Sequence, residues 1–284
     1  MNNGMEEKTE LKEVQKEALK ILLAFRDICE KNGLNYYISG GTFLGSVRHG
    51  GFIPWDDDVD VAMPRKDFDR FMEIAEQELP KGYTIDHFTR DHDSMYYVPK
   101  IENSRILLKS SIAKEEKTVP LWIDVFPLDG LPDQPLKRKL HCFRLLMLRG
   151  EYKLAFFDQL VNYKNKDRPW YENAVIAVAE KVNIGRLFDS YKIFCRLDKV
   201  LSKYDFYESR DIMNFMGSYK FKSIMNREEI YKDGAVYLFE GYEFNAPKEY
   251  DKYLTQIYGD YMKLPPEDKR NWHETEVISV QPEE

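Results

Sequence analysis

The spacing of apolar residues changes from helical to strand-like near the start of the chain. From Glu10 to Lys31, apolar side chains recur at every third or fourth position, which predicts an amphipathic helix that ends near Gly33. The next apolar run, NYYIS, predicts a short strand that leads into two adjacent glycines, Gly40 and Gly41. The segment TFLGSVRH then predicts a short helix whose N-terminus follows the glycines. Strand, glycine turn and helix start are therefore contiguous.

Strand-like and helical patterns continue along the rest of the chain. The segment DVDVAM alternates acidic and apolar side chains as a half-buried strand does, and Pro64 is expected to open a helix. Further strands are predicted in GYTIDHF, MYYVPKI, RILLK and LWIDVF. After about residue 130 the pattern becomes mainly helical, with helices predicted at 136–157, 171–182 and 187–204. We therefore predict an α+β fold, with a small mixed sheet and flanking helices over 1–130 and a mainly helical region over 131–284.

Composition and charge exclude several classes of function. The 284 residues carry 42 Lys and Arg against 49 Asp and Glu, a net charge of −7, so the chain lacks the basic excess of a protein that binds a nucleic-acid polymer. Its three cysteines are far apart, which fits neither a disulfide framework nor a CxxC metal site. The polar N-terminus and the lack of an apolar run of about 20 residues predict a cytoplasmic protein without a transmembrane segment.

Four aspartates lie close together in the sequence, at Asp56, Asp57, Asp58 and Asp60. On a strand, residues i and i+2 point to the same face, so Asp58 and Asp60 are expected to project together with their Cα atoms roughly 6.5–7 Å apart. Two like charges held that close repel each other, and a divalent cation between them removes the repulsion. Because ligands that are all oxygen favour a hard ion such as Mg²⁺, the cluster predicts a metal site.

The glycine turn supplies a second element of the same site. Backbone N–H groups at a helix start favour an anion, and glycine allows close approach because it has no Cβ. Gly40, Gly41 and the adjacent Thr42 are therefore candidates for phosphate binding.

Two common loop motifs that bind calcium or phosphate do not fit these residues. A calcium loop of the EF-hand type is excluded because Val61 and Asp67 occupy the places of the required Gly and Glu. A Walker A loop is excluded because Ser46 occupies the place of the required Lys. A solvated acidic turn beside a tight bend remains open as the purely structural alternative.

The stretch SGGTFLGSVRHGGFIPWDDDVDVAMPR, with its surroundings over 33–70, resembles the signature of the LicD family of phosphotransferases, which is related to fukutin-type proteins. The resemblance resumes in WIDVFPLDG at 122–130 and in FEGYEFNAPKEYDKYLTQIYGDYMKLPPEDKR at 239–270. This family belongs to the nucleotidyltransferase superfamily of polymerase-β-like fold. The resemblance therefore implies a nucleotidyltransferase-like catalytic domain within residues 1–130.

The superfamily pattern implies roles for individual residues. It consists of a GG or GS turn, an acid-hydrophobic-acid motif on one strand, and a third acid on a neighbouring strand. Here these places are filled by Gly40, Gly41, Asp58, Asp60 and Asp124. The implied cofactor is Mg²⁺, or Mn²⁺ in its place, bound by the three aspartates.

Asp124, in the apolar segment LWIDVF, would complete the metal site and take the proton from the attacking hydroxyl. The alternative for Asp124 is a buried ion pair. The gap between the glycines and Asp58 is longer than in the typical superfamily pattern, as it also is in the LicD branch. Asp56 and Asp57 are therefore further candidates for contact with metal.

The resemblance implies transfer of phosphocholine, or a related phospho-headgroup, from a CDP-linked donor such as CDP-choline. The implied acceptor is a hydroxyl of a cell-surface glycan or its lipid-linked precursor, as in lipopolysaccharide or teichoic acid, at the inner face of the membrane. Two alternatives remain open. One is a nucleotidyltransferase that passes a nucleotide monophosphate to a small-molecule hydroxyl, and the other is a non-catalytic module that binds glycan or nucleotide.

Basic residues near the motifs are candidates for binding the donor phosphates. Arg48 lies in the short helix after the glycines, and Lys100 lies in YYVPKIENSR. The alternatives are a salt bridge from Arg48 to a nearby aspartate, and a solvated strand end for Lys100. Arg270 and His273 belong to a tail that resembles the end of the family's sequence, and the sequence alone does not place them.

Two further patterns bear on the partners. Aromatic residues make up 14% of the chain, and a quaternary ammonium group binds to aromatic faces, for which Trp55, Trp122, Tyr96 and Tyr97 are candidates. The segment 137–160 mixes basic residues with leucine and phenylalanine, as a helix at a membrane interface does. That pattern favours peripheral membrane contact, and an ordinary packed helix is the alternative.

Overall fold

The computed structural model of the protein describes residues 3–110, 117–156, 185, 188–267, 270 and 275–280. Helices and strands are mixed along the chain, which confirms the predicted α+β class. In chain order they are α1 (Asn3–Asn32), β1 (Tyr37–Ile38), α2 (Gly40–His49), β2 (Asp60–Pro64), α3 (Arg65–Glu78), β3 (Tyr83–Asp86), β4 (Lys100–Ser110), β5 (Lys117–Gly130), α4 (Pro135–Ala155), α5 (Ser190–Leu201), β6 (Asp211–Met213), a 3₁₀ turn (Lys220–Ser223), β7 (Met225–Asn226), α6 (Arg227–Ile230), β8 (Ala235–Phe239), β9 (Tyr242–Ala246), α7 (Tyr250–Tyr258) and β10 (Thr275–Val280).

A mixed sheet forms the centre of the fold, with strand order β1-β2-β5-β4-β10. β2 and β5 are parallel, whereas β1 pairs antiparallel with β2 and β4 pairs antiparallel with β5. β3 pairs with β4, and the short strands β6 and β7 continue the sheet from the end of β5. β8 and β9 form a separate hairpin. The parallel pair therefore lies in the interior of the sheet, flanked by antiparallel neighbours.

The main core lies between α1 and the sheet. Ala18, Leu22 and Phe25 of α1 are fully buried, as the helical spacing of apolar residues predicts. Ile123 and Val125 of β5 are buried in the same cluster. Because side chains alternate across a strand, the residue between them points to the opposite face of the sheet. One face of β5 therefore packs in the core, and the opposite face is available for a functional site.

Residues far beyond position 130 also pack into the main core, among them Phe206, Tyr231, Phe244 and Leu254. A second cluster joins α4 to α5 through apolar side chains that include Leu145, Leu148, Phe194, Leu197 and Leu201. In the described part of 131–284, the short strands β6 to β10 accompany the predicted helices. The division of the chain near residue 130 stays a prediction.

Most predicted elements are present, with shifted boundaries. β4 and β5 contain the segments predicted as strands at 105–109 and 121–126, whereas β3 covers only 83–86 of the strand predicted at 82–88. The segment MYYVPKI contributes to β4 only from Lys100 onward, because Pro99 has no N–H to donate to a ladder. Pro64 ends β2, and α3 begins one residue later. The helix predicted at 171–182 lies outside the described residues.

Two boundary differences affect the site directly. α2 begins at Gly40, so the two glycines form its first turn and do not precede it. β2 begins at Asp60, where its pairing with Asp124 of β5 starts, so Asp58 lies in the loop ahead of the strand. The expectation that Asp58 and Asp60 share one strand was therefore wrong, although both remain close to the same strand end.

None of the helices in the described part of the chain combines the length and the apolar composition that spanning a bilayer requires.

Candidate active site

A cavity of about 710 Å³ opens beside the start of β2. Its walls come from parts of the chain that are far apart in sequence: the first turn of α2, the loop ahead of β2, β5, and residues between 214 and 266. The lining includes Ser39, Gly40, Gly41, Arg48, Trp55, Asp56, Asp58, Asp60, Asp124, Phe126, Asn214, Tyr219, Tyr253, Tyr258 and Tyr261.

Carboxylates form one wall of this cavity. Asp60, the first residue of β2, lies directly opposite Asp124 in the parallel pairing with β5. Asp56 and Asp58 line the same wall from the loop ahead of β2, whereas Asp57 is not part of the lining. The three aspartates predicted to act together, at 58, 60 and 124, therefore face one cavity.

The two glycines lie against these carboxylates. Gly40 has a φ of +55°, and a Cβ on it would come within 2.4 Å of Asp60 Oδ2. A Cβ on Gly41 would come within 2.8 Å of Asp56 Oδ2. Both distances are shorter than real Cβ contacts, so a Cβ at either position would displace the aspartate side chain that faces it. The sequence suggested that these glycines face phosphate, and it did not show that they make room for aspartates.

Backbone hydrogen bonds hold the two strand ends and the helix start together. The N–H of Ser39 donates to the carbonyl of Asp60 at 3.0 Å, and the N–H of Asp60 donates to the hydroxyl of Thr42 at 2.8 Å. The N–H of Gly40 donates to the hydroxyl of Tyr253 at 3.3 Å. Thr42 is buried and is not part of the cavity lining, so its observed role is to position Asp60. A contact between Thr42 and phosphate stays a prediction.

Electrostatic strain concentrates at Asp60. Burial, followed by the negative charges of Asp58, Asp124 and Asp56, raises the pKa of Asp60 well above its ordinary value. The positive charge of Lys100 acts in the opposite direction. Either protonation of Asp60 or a cation bound beside it would therefore reduce the electrostatic repulsion at this carboxyl group.

Lys100 lies behind the acidic wall and is buried. Its Nζ is 3.6 Å from Asp124 Oδ1 and 3.5 Å from the centre of the Trp122 ring, and Trp122 Nε1 donates to Asp124 Oδ2 at 3.3 Å. The solvated strand end considered for Lys100 is therefore wrong, because antiparallel pairing sets Lys100 opposite Asp124 and the ion pair draws the ammonium inward. A contact of Lys100 with phosphate stays a prediction, since the residue does not line the cavity.

Asp124 forms the ion pair that was the alternative for this residue, and its role in metal binding and proton transfer stays a prediction. It forms the ion pair with Lys100, and its side chain also remains 22% exposed and lines the cavity. Both carboxylate oxygens have a partner, so the orientation of the group is fixed. Burial lowers the pKa of Lys100, and the charge of Asp124 opposes that shift.

Basic and aromatic groups also lie at the cavity. Arg48 lines the cavity and donates from Nη1 to the carbonyl of Tyr261 at 2.7 Å. The guanidinium of Arg270 lies 4.7 Å from the centre of the Trp55 ring, which brings the tail to the edge of the cavity. His273 lies outside the described residues.

Aromatic residues line the cavity, but most are not the ones expected. Of the four aromatic candidates, Trp55 is in the lining, while Tyr96 and Trp122 stack on Lys100. The hydroxyl of Tyr97 is buried against Asp198 and Arg65. Sequence reasoning missed other aromatic residues of the cavity lining, among them Phe126, Tyr219, Tyr253, Tyr258 and Tyr261. The resemblance over 239–270 was a signal for the last three.

The carboxylates suit a hard divalent cation, because Mg²⁺ and Mn²⁺ prefer oxygen ligands. A cation would also offset the crowded negative charges that raise the pKa of Asp60. Across the described ranges, no three metal-ligating side chains already converge on one point. Holding an ion would therefore require rotation of aspartate side chains on the acidic wall.

Comparison with known proteins assigns the family. A family model described as "LicD/FKTN/FKRP, nucleotidyltransferase domain" matches residues 33–129. The chain is also 33% identical, over 276 residues, to the lipopolysaccharide cholinephosphotransferase LicD of Haemophilus influenzae, and the match covers 94% of this chain and 96% of that protein. The chain belongs to the LicD family. The resemblance noted in the sequence is thereby confirmed, and membership of the family makes the chain an enzyme of the transferase class.

Other proteins match parts of the chain. An uncharacterized protein of Rickettsia typhi is 41% identical over 169 residues, which is 57% of this chain and 50% of that protein. The human ribitol 5-phosphate transferase FKRP is 45% identical over 40 residues, which is 14% of this chain and 8% of that protein. The LicD family model contains the glycine turn and the acidic wall, whereas the lining residues between 214 and 266 lie beyond it. The match to the full-length relative covers 94% of the chain.

Replacing Gly40 tests whether the glycine pair makes room for the acidic wall. We expect Gly40→Ala to lower the free energy of unfolding by about 1–3 kcal/mol because of its positive φ, and also to displace Asp60 and lower turnover. Gly50→Ala is the matched control, because Gly50 also has a positive φ, of +74°, but has no atom within 4 Å of an added Cβ. Thermal unfolding and turnover are measured on both. Equal losses of turnover in the two variants would contradict this role of Gly40.

Replacing Asp60 tests the crowded charge. Because the pKa of Asp60 is raised, the uncharged form favours folding, and stability without metal is lost as the pH rises through that pKa. We expect Asp60→Asn to remove this loss and raise Tm in EDTA, while abolishing turnover with metal. Melting curves recorded in EDTA, from the ordinary pKa of an aspartate upward through the raised pKa of Asp60, check the prediction. Asp27→Asn, on an exposed part of α1, is the control. A lower Tm for Asp60→Asn in EDTA would show that Asp60 is stabilised by its neighbours.

Proposed function

We propose that the chain transfers phosphocholine, or a related phospho-headgroup, from a CDP-linked donor to a hydroxyl of a cell-surface glycan such as lipopolysaccharide, or of its lipid-linked precursor. The observation that carries this proposal is the identity of 33% with the lipopolysaccharide cholinephosphotransferase LicD, which extends over 94% of the chain. The cavity supports it because carboxylates, a helix start and aromatic rings line the same space.

The acidic wall provides the place for the proposed Mg²⁺, or Mn²⁺ in its place. Asp58, Asp60 and Asp124 are the residues that would hold it, with Asp56 beside them. A bound divalent cation neutralises phosphate charge and polarises the phosphoryl oxygens. Since burial and three neighbouring carboxylates raise the pKa of Asp60, a cation would relieve that repulsion.

The start of α2 and Arg48 are suited to the donor's diphosphate. Gly41 and Ser39 line the cavity at the start of α2, where backbone N–H groups and the helix dipole favour an anion. A guanidinium binds phosphate oxygens through two parallel hydrogen bonds, and Arg48 faces the same cavity. One of its N–H groups already donates to Tyr261, which orients the side chain.

Aromatic rings of the cavity lining are suited to a quaternary ammonium headgroup. The rings of Tyr219 and Tyr258 are 5.5 Å apart and nearly perpendicular, and both line the cavity together with Trp55. A cation over an aromatic face is attracted to the ring electrons, and the attraction increases where water is excluded. These rings therefore favour a choline-type headgroup over an uncharged one.

Asp124 is the proposed proton acceptor. In the proposed reaction a new bond forms between the acceptor oxygen and phosphorus, the bond from phosphorus to the CMP oxygen breaks, and CMP leaves. The proton of the acceptor hydroxyl goes to the Asp124 carboxylate, which the Lys100 ion pair and the Trp122 hydrogen bond hold in one orientation. Lys100 acts as a positioning residue for Asp124.

A nucleotidyltransferase is the second candidate, because the matching family model is described as a nucleotidyltransferase domain. The same acidic wall would then serve transfer of a nucleotide monophosphate with release of pyrophosphate. A ligand panel separates the two reactions.

We expect CDP-choline with Mg²⁺ to raise Tm more than ATP, GTP or CDP-ribitol does, and to have less effect without metal. At a ligand concentration of about 100 Kd, the expected stabilisation is about 2.7 kcal/mol. Thermal unfolding with the panel, together with mass spectrometry of the products, measures both binding and reaction. Equal stabilisation by ATP with release of pyrophosphate would favour the nucleotidyltransferase.

A double-mutant cycle at Lys100 and Asp124 separates chemistry from structure. We expect Asp124→Asn to lower turnover roughly 10²-fold or more, with donor affinity nearly unchanged, because it removes the proton acceptor. It should also lower Tm, because Lys100 keeps a buried charge without its partner. Lys100→Met combined with Asp124→Asn should restore Tm without restoring turnover. Recovery of turnover in the double variant would remove Asp124 from the catalytic residues.

A further inference from the structure

α4 exposes a continuous apolar stripe to solvent. Leu136, Leu140, Phe143 and Met147 are 80%, 67%, 60% and 53% exposed, and Leu154 extends the stripe towards the end of the helix. Their spacing of four, three and four residues places the first four on one face, since each residue advances about 100° around an α-helix. Single exposed leucines are common on protein surfaces, but an ordered row along one helix is not.

The stripe is not a consequence of loose packing. On the opposite face of α4, Leu145 and Leu148 are buried in the cluster that joins α4 to α5. The side chain of Arg149 reaches over this cluster and donates to the carbonyl of Phe215. The helix is therefore attached by one face and presents a second apolar face outward.

Basic side chains accompany the stripe. Lys137, Lys139, Arg144 and Lys153 are exposed on α4. The helix as a whole contains six basic residues and one acidic residue, Glu151, within a chain whose net charge is −7. Positive charge is thus concentrated on the helix that carries the apolar stripe.

The apolar stripe and the positive charge together indicate which kind of partner would bind this face of α4. A second copy of the chain, docked through the same face, would bring the same positive side chains together. An anionic lipid surface offers negative headgroups to the basic residues and acyl chains to the apolar stripe. We propose that α4 docks the enzyme on membranes that contain anionic lipids, with the stripe from Leu136 to Leu154 inserted at the interface. This docking requires neither the donor nor the transfer reaction, so it does not depend on the proposed function.

The test is sedimentation of the full chain with vesicles of phosphatidylcholine, with and without phosphatidylglycerol. We expect binding to the anionic vesicles, weaker binding to the neutral ones, and a decrease with added salt. Leu140→Gln combined with Phe143→Gln should weaken binding about tenfold or more, because it removes two inserted apolar groups. Lys137→Gln combined with Lys139→Gln should weaken binding to the anionic vesicles alone.

Val236→Gln combined with Leu238→Gln is the matched control. Both residues are 59% exposed on β8, but Glu240 and Glu243 lie next to them in the hairpin. This variant should bind vesicles like the original chain, and Tm should be unchanged in every variant because the substituted side chains are exposed. The proposal is overturned if the chain does not bind anionic vesicles, or if the α4 variants bind them as strongly as the original chain. It is overturned as well if the hairpin variant loses as much binding as the α4 variants. It is also overturned if sedimentation equilibrium shows a dimer that only the α4 variants dissociate.

Discussion

The parallel pairing of β2 with β5 sets Asp60 directly across from Asp124, and the rest of the site is arranged around these two carboxylates. Like charges on directly paired residues of adjacent strands destabilise the fold unless neighbouring groups offset their repulsion. Lys100 lies beside Asp124 and opposes its charge, and Gly40 lacks the Cβ that would otherwise collide with Asp60. Thr42 fixes the backbone of Asp60. The site therefore depends on the register of a single strand pair.

The same strand pair is held at its other end by a buried ion pair. Arg65 follows the last residue of β2, and its guanidinium binds both carboxylate oxygens of Asp129, near the end of β5, at 2.6 and 2.9 Å. Asp198 of α5 and the hydroxyl of Tyr97 also contact Arg65. Because breaking a buried, hydrogen-bonded pair leaves an uncompensated charge, this contact resists slippage of β2 against β5. The second core, between α4 and α5, is thereby linked to the sheet that carries the acidic wall.

Described residues from the second half of the chain complete the cavity. Tyr253 of α7 accepts a hydrogen bond from Gly40 while its neighbour Leu254 packs in the main core. The carbonyl of Tyr261 holds Arg48, and Arg270 lies on Trp55. The cavity therefore combines residues about two hundred positions apart in the sequence, which agrees with a family relationship that extends over nearly the whole chain.

Local patterns in the sequence determined a large part of this description. The helical spacing of α1, the strand that leads into Gly40 and Gly41, and the cluster of aspartates were all evident from neighbouring residues, and they identified the family. The tertiary structure alone decided that Asp60 faces Asp124, that Lys100 is buried against Trp122, and that Tyr219 and Tyr258 line the cavity. Periodicity shows which face of an element is apolar because it depends on residues within one or two turns. Strand register and cavity lining depend instead on hydrogen bonds and packing between distant segments, which no local pattern records.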